Sequence, residues 1–364
     1  MAIPAQSSAP GLRIATVRGV PVYLGWTWFL LAAIITVLWG SRLADRTSLG
    51  YAVGIVYAVV LLVSVLAHEV AHALVARRLG LPVHRVVADF LGGHTAFDGR
   101  ELTAGRAAAI AAAGPLANVG VGLAAWGLGL LVTAPLPGMV FSGIAWINLL
   151  LAAFNAVPAL PLDGGQVLEA LVWALTGRRS TGLRTAGVAG RLLAVALVLW
   201  LVAWPLSHGR APDLFTLVWA LLLASVIWRG ATAAIAAGKA RAPIEGLTLA
   251  DVARPVRVAP QGSVVSDLTD DGAAPVVTPD RGGGWLLLVG ASDGIPIPAH
   301  TPVAAISMRI PDAAVVAATP DTDLIPALVA LQQGGIGLAL LIEGSRAWGL
   351  LSEADVSAAL ARRT

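Results

Sequence analysis

Five residues, His68-Glu69-Val70-Ala71-His72, form the pattern HExxH. On a helix, residues four apart share a face, so both imidazoles can face one zinc ion while Glu69 projects beside them toward the water to be activated. The chain has 364 residues and no cysteine. That removes disulfides, thiolate ligands and a cysteine nucleophile, and leaves six His and the carboxylates as the strong metal ligands. Two His leave a catalytic zinc short of its usual third protein ligand. A candidate lies in Asn155-Ala156-Val157-Pro158-Ala159-Leu160-Pro161-Leu162-Asp163-Gly164-Gly165. Pro158 and Pro161 should interrupt a helix and the Gly pair frees the backbone, so Asp163 could turn from an irregular, buried segment toward the His pair. The plainer readings are two unrelated helical His and an Asp163 that only caps a helix.

These residues sit in a chain that is 57% hydrophobic and 12% charged, with a mean hydropathy of +0.80, against about 45–50% apolar residues in soluble domains. Disorder is excluded and an ordinary soluble enzyme is disfavoured. The net charge of +3 comes with no basic run longer than a pair, which argues against a nucleic-acid partner. Charge is unevenly placed. Residues 1–242 carry 17 Lys+Arg and 8 Asp+Glu, and residues 243–364 carry 7 and 13. Runs of membrane-spanning length, roughly 20 residues, occur only in the first part, which predicts a membrane-embedded domain over 1–242 and a soluble one over 243–364.

Six spans are expected, near 21–40, 52–79, 104–134, 139–160, 186–206 and 213–237, the first an anchor too long for a signal peptide. With both termini cytoplasmic, 14 of the 17 basic residues fall on inner segments, as the positive-inside rule requires. His68 precedes Arg77 by nine residues, so the site would lie about 14 Å below the inner surface. Ionisable groups at such depth cost roughly 2.5–3.5 kcal/mol each, which makes a purely structural role improbable. The 23 Arg to one Lys suggest a GC-rich bacterial genome.

The two motifs together, His68 to His72 and Asn155-x-x-Pro158-x-x-Pro161-x-Asp163-Gly164, resemble the site-2 protease family of intramembrane zinc metalloproteases. Gly114-Pro115-Leu116-Ala117-Asn118, Gly92-Gly93 and the segment Gly19 to Leu24 extend the likeness over most of residues 11–240. The resemblance implies His68, His72 and Asp163 as ligands of one Zn2+, Glu69 as general base, and Asn155 as the residue that orients substrate or stabilises the oxyanion. It also implies a membrane-protein substrate, such as a membrane-bound regulator, unwound before attack. A strand-like segment, Val83 to Phe97, could pair with it at Gly92 and Gly93. Gly25 stands where relatives often show a histidine. His94 could approach the site or be solvated, and Asn118 could matter to the site or only bond between helices.

Residues 243–364 contain two weakly similar halves. The second, from Val315 through Gly349-Leu350-Leu351-Ser352-Glu353-Ala354-Asp355, resembles a CBS module. A CBS pair implies an α/β regulatory or dimerising domain, with Asp355 at the position that contacts the ribose of ATP or AMP; alternatively Asp355 belongs to the cap of the last helix. The expectation is a multi-pass α-helical protein of the plasma (inner) membrane with a short β segment and a CBS-like tail, working in regulated intramembrane proteolysis within the lipid bilayer. A CBS-regulated channel or transporter, or an inactive relative that binds membrane proteins, are the competing readings.

Overall fold

A computed structural model describes residues 11–42, 47–89, 92–97, 102–268, 274–289 and 297–362. The chain divides into two compact units, one ending at Ala242 and the other running from Pro243.

The first unit opens with a hairpin, β1 (Leu12–Val17) and β2 (Val20–Leu24), turned at Arg18 and Gly19, both at positive φ (48° and 86°). Then follow α1 (Thr27–Arg42), α2 (Thr47–Arg78), β3 (Val83–Asp89), β4 (Gly92–Phe97), α3 (Ala104–Leu130), α4 (Pro135–Asn155), α5 (Asp163–Thr176) and α6 (Arg179–Val198). A π-helical turn, Leu199–Ala203, joins α6 to α7 (Trp204–Ser207), and α8 (Leu214–Arg241) ends the unit. The helix starts follow local chemistry. Thr103 caps α3 by accepting from Arg106 N–H, and Asp213 caps α8 through Thr216 N–H at 2.8 Å. Gly177, in the left-handed region at φ 70°, ends α5.

Among the described residues, five helices are long and apolar enough to cross a membrane: Gly50–Arg78, Ala104–Leu130, Pro137–Asn155, Arg179–Ser207 and Leu214–Arg241. The first expected span, near 21–40, is corrected at its start. The helix there, α1, begins at Thr27, because residues 20–24 alternate buried and half-buried side chains with period two and pair as a strand, and among the described residues its apolar part, Thr27–Leu38, is shorter than this measure. The span expected over 139–160 likewise ends at Asn155. Side-chain size is sorted inside out along α3. Gly114, Asn118, Gly122 and Ala125 are buried while Leu116, Leu123, Trp126 and Leu130 point outward, the arrangement of a helix that packs on small residues and faces lipid with large ones.

The strand-like segment expected over 83–97 is the hairpin β3–β4, and it belongs to a larger sheet of order β1-β2-β3-β4. β2 and β3 run parallel, Val22 opposite Val86 and Leu24 opposite Ala88, and the other pairs are antiparallel. β4 is thus an edge strand, lying against α2 where Glu69 sits.

In the second unit, α9 (Leu249–Val252), β5 (Arg254–Pro255), β6 (Arg257–Val258), β7 (Val276–Pro279), β8 (Trp285–Leu288) and β9 (Ser307–Ile310) precede β10 (Val315–Ala317), α10 (Ile325–Gly334), β11 (Leu338–Glu343), β12 (Arg346–Ser352) and α11 (Glu353–Ala361). They build two four-stranded sheets, β10-β11-β12-β5 and β6-β7-β8-β9. Val277, Leu287 and Ile310 of one sheet pack with Leu340, Ala347 and Leu350 of the other. A second core joins Leu249, Leu324, Leu331, Leu341 and Leu351 under the helices. The second half has the order strand, helix, strand, strand, helix. In the first half, the described residues at the corresponding places form 3-10 turns, Val265–Asp267 and Val303–Ile306.

Candidate metal centre

His68 and His72 stand one turn apart on α2, 5% and 7% exposed, with their Nε2 atoms 3.1 Å apart. Asp163 is the first residue of α5, and its Oδ2 lies 2.9 Å from His68 Nε2 and 3.4 Å from His72 Nε2. His72 Nδ1 faces the Ile110 carbonyl oxygen at 2.6 Å. A carbonyl only accepts, so His72 Nδ1 carries the proton and its Nε2 presents a lone pair. Asp163 Oδ2 is buried with no hydrogen-bond donor. Electron-rich atoms converging in a buried place are unfavourable unless a cation takes them. Two imidazole nitrogens and one carboxylate oxygen, with room for a fourth position, fit Zn2+. Among the described residues, His68, Glu69 and His72 also form a group whose ligating atoms lie within 4.8 Å of one another.

Local sequence explains how Asp163 arrives there. After α4 the backbone folds over residues 156–162 in tight turns, Val157 N–H donating to Phe154, Ala159 N–H to Val157 and Leu162 N–H to Ala159, while Leu160 N–H reaches the Ala186 carbonyl of α6. A Cβ on Gly164 would strike the carbonyls of Ala156 and Val157, and one on Gly165 the backbone of Ala159 and Leu160. The Gly pair therefore lets α5 start against its own approach segment. Asp163 is helical rather than irregular as expected, and the side chain of Gln166, one turn on, donates to its Oδ1 at 3.3 Å, leaving Oδ2 aimed at the His pair.

Glu69, 5% exposed, is held from the other side. Thr95 Oγ1 on β4 lies 2.9 Å from Glu69 Oε2 and 3.0 Å from its backbone carbonyl. A Cβ on Gly93 would collide with the Glu69 side chain, so that glycine is what lets the strand pass. Gly114 plays the same part on α3, where a Cβ would meet both imidazoles. Asn118, fully buried, has its amide nitrogen Nδ2 placed 3.2 Å from His68 Nδ1. Thr95 and the Ile110 carbonyl are not legible in the sequence. Thr95 carries no motif signal, and a backbone carbonyl has no residue type to read.

A cavity of about 560 Å³ joins these groups and is lined also by Asn155, His94, Trp28 and Phe154. Asn155, at the end of α4, donates its Nδ2 to the Leu151 carbonyl at 3.1 Å and borders the same space as Glu69 and Asp163. Gly92 pairs with Asp89 at the start of β4, and Gly93 with Ala88. Gly25 is tightly placed: a Cβ there would lie 2.9 Å from Asp89 Oδ1, so a larger side chain would have to displace Asp89. A second cavity of about 500 Å³, lined by Val53, Val56, Tyr57, Val60, Met139 and Phe141 among others, offers no group for acid, base or metal chemistry beyond one phenol.

In the second unit, Asp355 forms a capping box. Its Oδ2 accepts from Ser352 N–H at 3.0 Å, Ser352 Oγ accepts from Asp355 N–H at 3.2 Å, and Arg254 Nε pairs with Asp355 Oδ1 at 3.0 Å. Of the two readings of Asp355, this geometry is that of the cap.

The chain matches the model of Peptidase family M50 over residues 56–140 and 137–200. Two relatives carry the name "Putative zinc metalloprotease": sll0528 of Synechocystis sp., 35% identical over 185 residues, covering 50% of this chain and 49% of that one, and Rip3 of Mycobacterium tuberculosis, 32% identical over 196 residues, covering 51% and 50%. A third, "Zinc metalloprotease MJ0392" of Methanocaldococcus jannaschii, is 27% identical over 195 residues, covering 52% and 53%. The chain thus spans about half the length of the relatives it matches. Among solved structures, the site-2 protease from Methanocaldococcus jannaschii aligns with a TM-score of 0.46 at 23% identity, covering 62% of this chain and 94% of that one. The likeness to Peptidase family M50 thus lies in residues 56–200, which hold the HExxH helix and the turn bearing Asp163.

Proposed function

We propose that this chain is an intramembrane zinc metalloprotease that hydrolyses a peptide bond in or near a transmembrane segment of a membrane-protein substrate. The observation that carries this reading is the convergence of His68 Nε2, His72 Nε2 and the donorless Asp163 Oδ2 beside Glu69, on helices of membrane-spanning character. His68, His72 and Asp163 would hold Zn2+, which supplies Lewis acidity toward the scissile carbonyl and lowers the pKa of water. Glu69, held in place by Thr95, takes the proton of the attacking water and returns it to the leaving amine. Asn155 offers an amide donor to the developing oxyanion once it gives up the Leu151 carbonyl. The edge strand β4, with Gly93 next to Glu69 and Gly92 before it, suits an unwound substrate strand, whose backbone groups would otherwise go unpaired in the bilayer.

Arginine placement favours a plasma-membrane protein with its C-terminal tail in the cytoplasm; both termini lie there if α1 crosses the membrane together with the five longer helices. The absence of native cysteine makes this simple to test: a single cysteine at Ala211 should label from outside, and one at Gly246 from inside. The reverse pattern refutes the orientation. The tail, residues 243–364, reads as a CBS-like regulatory or dimerising domain. Modulation by ATP or AMP has the weaker support, since Asp355 is already engaged by Ser352 and Arg254.

The decisive experiment compares membrane-protein fragments in cells carrying the wild type and Glu69→Gln. Fragments that accumulate only with the wild type identify substrates. Equal cleavage by Glu69→Gln sinks the mechanism, and Glu69-independent ion flux in liposomes would favour a channel.

A further inference from the structure

Ile110, Gly114 and Asn118 lie at i, i+4 and i+8, along one face of α3, and all three meet the His pair. The Ile110 carbonyl fixes His72 as its Nδ1–H tautomer, and Gly114 gives the backbone its close approach. We infer that Asn118 is a positioning residue for the metal centre, its side-chain carbonyl accepting from His68 Nδ1–H and so holding His68 Nε2 toward Asp163 as a ligand. This inference rests on the proposed zinc site.

The chemistry is one-sided. An imidazole that ligates through Nε2 must carry its proton on Nδ1, so the group facing Nδ1 has to accept. An asparagine amide offers either end at nearly the same shape, and which end faces His68 is a matter of hydrogen-bond assignment, not of heavy-atom position. Asn118 Oδ1 is buried and has no donor committed to it, so rotating the amide delivers it to His68 without breaking another bond. A plain interhelical glue would call only for some polar pairing between α2 and α3, and would be indifferent to which end serves.

The test uses the full-length protein in detergent and measures zinc affinity by chelator competition, with the visible spectrum of the cobalt-substituted protein as a second readout. Asn118→Leu, similar in shape but without an acceptor, should weaken zinc binding about 10–100-fold and alter the cobalt spectrum. Asn118→Asp, an acceptor only, should stay within about threefold of the wild type, because a carboxylate facing Nδ1–H is a strong orienting partner. Asn118→Asp binding at least about 10-fold more weakly would overturn the inference, even where Asn118→Leu does not fold, and so would wild-type affinity in Asn118→Leu. His68→Ala separates the two levels. If it binds zinc like the wild type, the metal site itself is misassigned; if it loses zinc while Asn118→Leu does not, only the role of Asn118 fails.

Discussion

Gly114→Ala adds one methyl group at the tightest point of the site. Its Cβ would stand 2.5 Å from His68 Nε2 and 2.6 Å from His68 Cε1, and closer still to His72 Nε2, against the 3.4 Å at which ordinary contact begins. The shortfall of about 1 Å cannot be absorbed by a flexible chain end, since the atoms met are ring atoms of both imidazoles. Either α3 retreats, stretching the Ile110 and Asn118 contacts at 2.6 and 3.2 Å, or the rings rotate away from Asp163. Metal sites tolerate about 0.2 Å in ligand position, and a misplacement of about 1 Å can cost about 100-fold in rate. We expect zinc affinity and cleavage each to fall by about two orders of magnitude, near 2.7 kcal/mol. Zinc per chain after gel filtration, and cleavage of a reconstituted transmembrane reporter, measure the two. Gly120→Ala, on the same helix with nothing within 4 Å of its Cβ, is the matched control and should change neither. Gly114→Ala within twofold of wild type on both counts would refute the close-approach argument.

Asp163→Ala should lose most bound zinc, and unchanged metal content would remove it as a ligand. Glu69→Gln should keep zinc while activity drops by about 10²–10⁴-fold; loss of metal instead would make Glu69 a ligand rather than a base. Thr95→Val removes the hydroxyl bonded to Glu69 Oε2 and should cut kcat about 10–150-fold, in line with about 1.5–3 kcal/mol for a bond to a charged group, with zinc binding untouched. In the tail, Ser352→Ala breaks the capping box and should cost about 1 kcal/mol. Leu351→Ala, in a fully buried position, should cost about 2–5 kcal/mol; thermal unfolding of the full chain that leaves both unchanged would contradict the core assignment.

The two metal motifs are readable in the sequence because each residue type is improbable where it stands. Histidine, glutamate and aspartate in apolar helices are costly, so their presence needs a reason, and helical spacing by itself places His68 and His72 on one face. Asp163 is harder, because Pro158, Pro161 and the Gly pair read equally as an irregular turn. The structure makes it a helix start, and α5 escapes notice since its apolar residues continue the preceding run without a change of period. Residues 20–24 mislead in the opposite direction. An unbroken apolar stretch cannot tell a strand from a helix, and only the Arg18-Gly19 turn and the pairing with β3 decide it.

What sequence could not convey is that α3 works as the backing plate of the site. Gly114 and Asn118 look like the small-residue face of a packed membrane helix, and they are that, but the partner they pack on is the His pair itself. Close helix packing and metal-ligand orientation then become one requirement. On the proposed zinc site, a side chain larger than hydrogen at 114 would move the ligands, and a group without an acceptor at 118 would free one of them. In a membrane interior, where packing on small residues replaces much of the hydrophobic drive between helices, the same few residues can set both the helix spacing and the geometry of the chemistry.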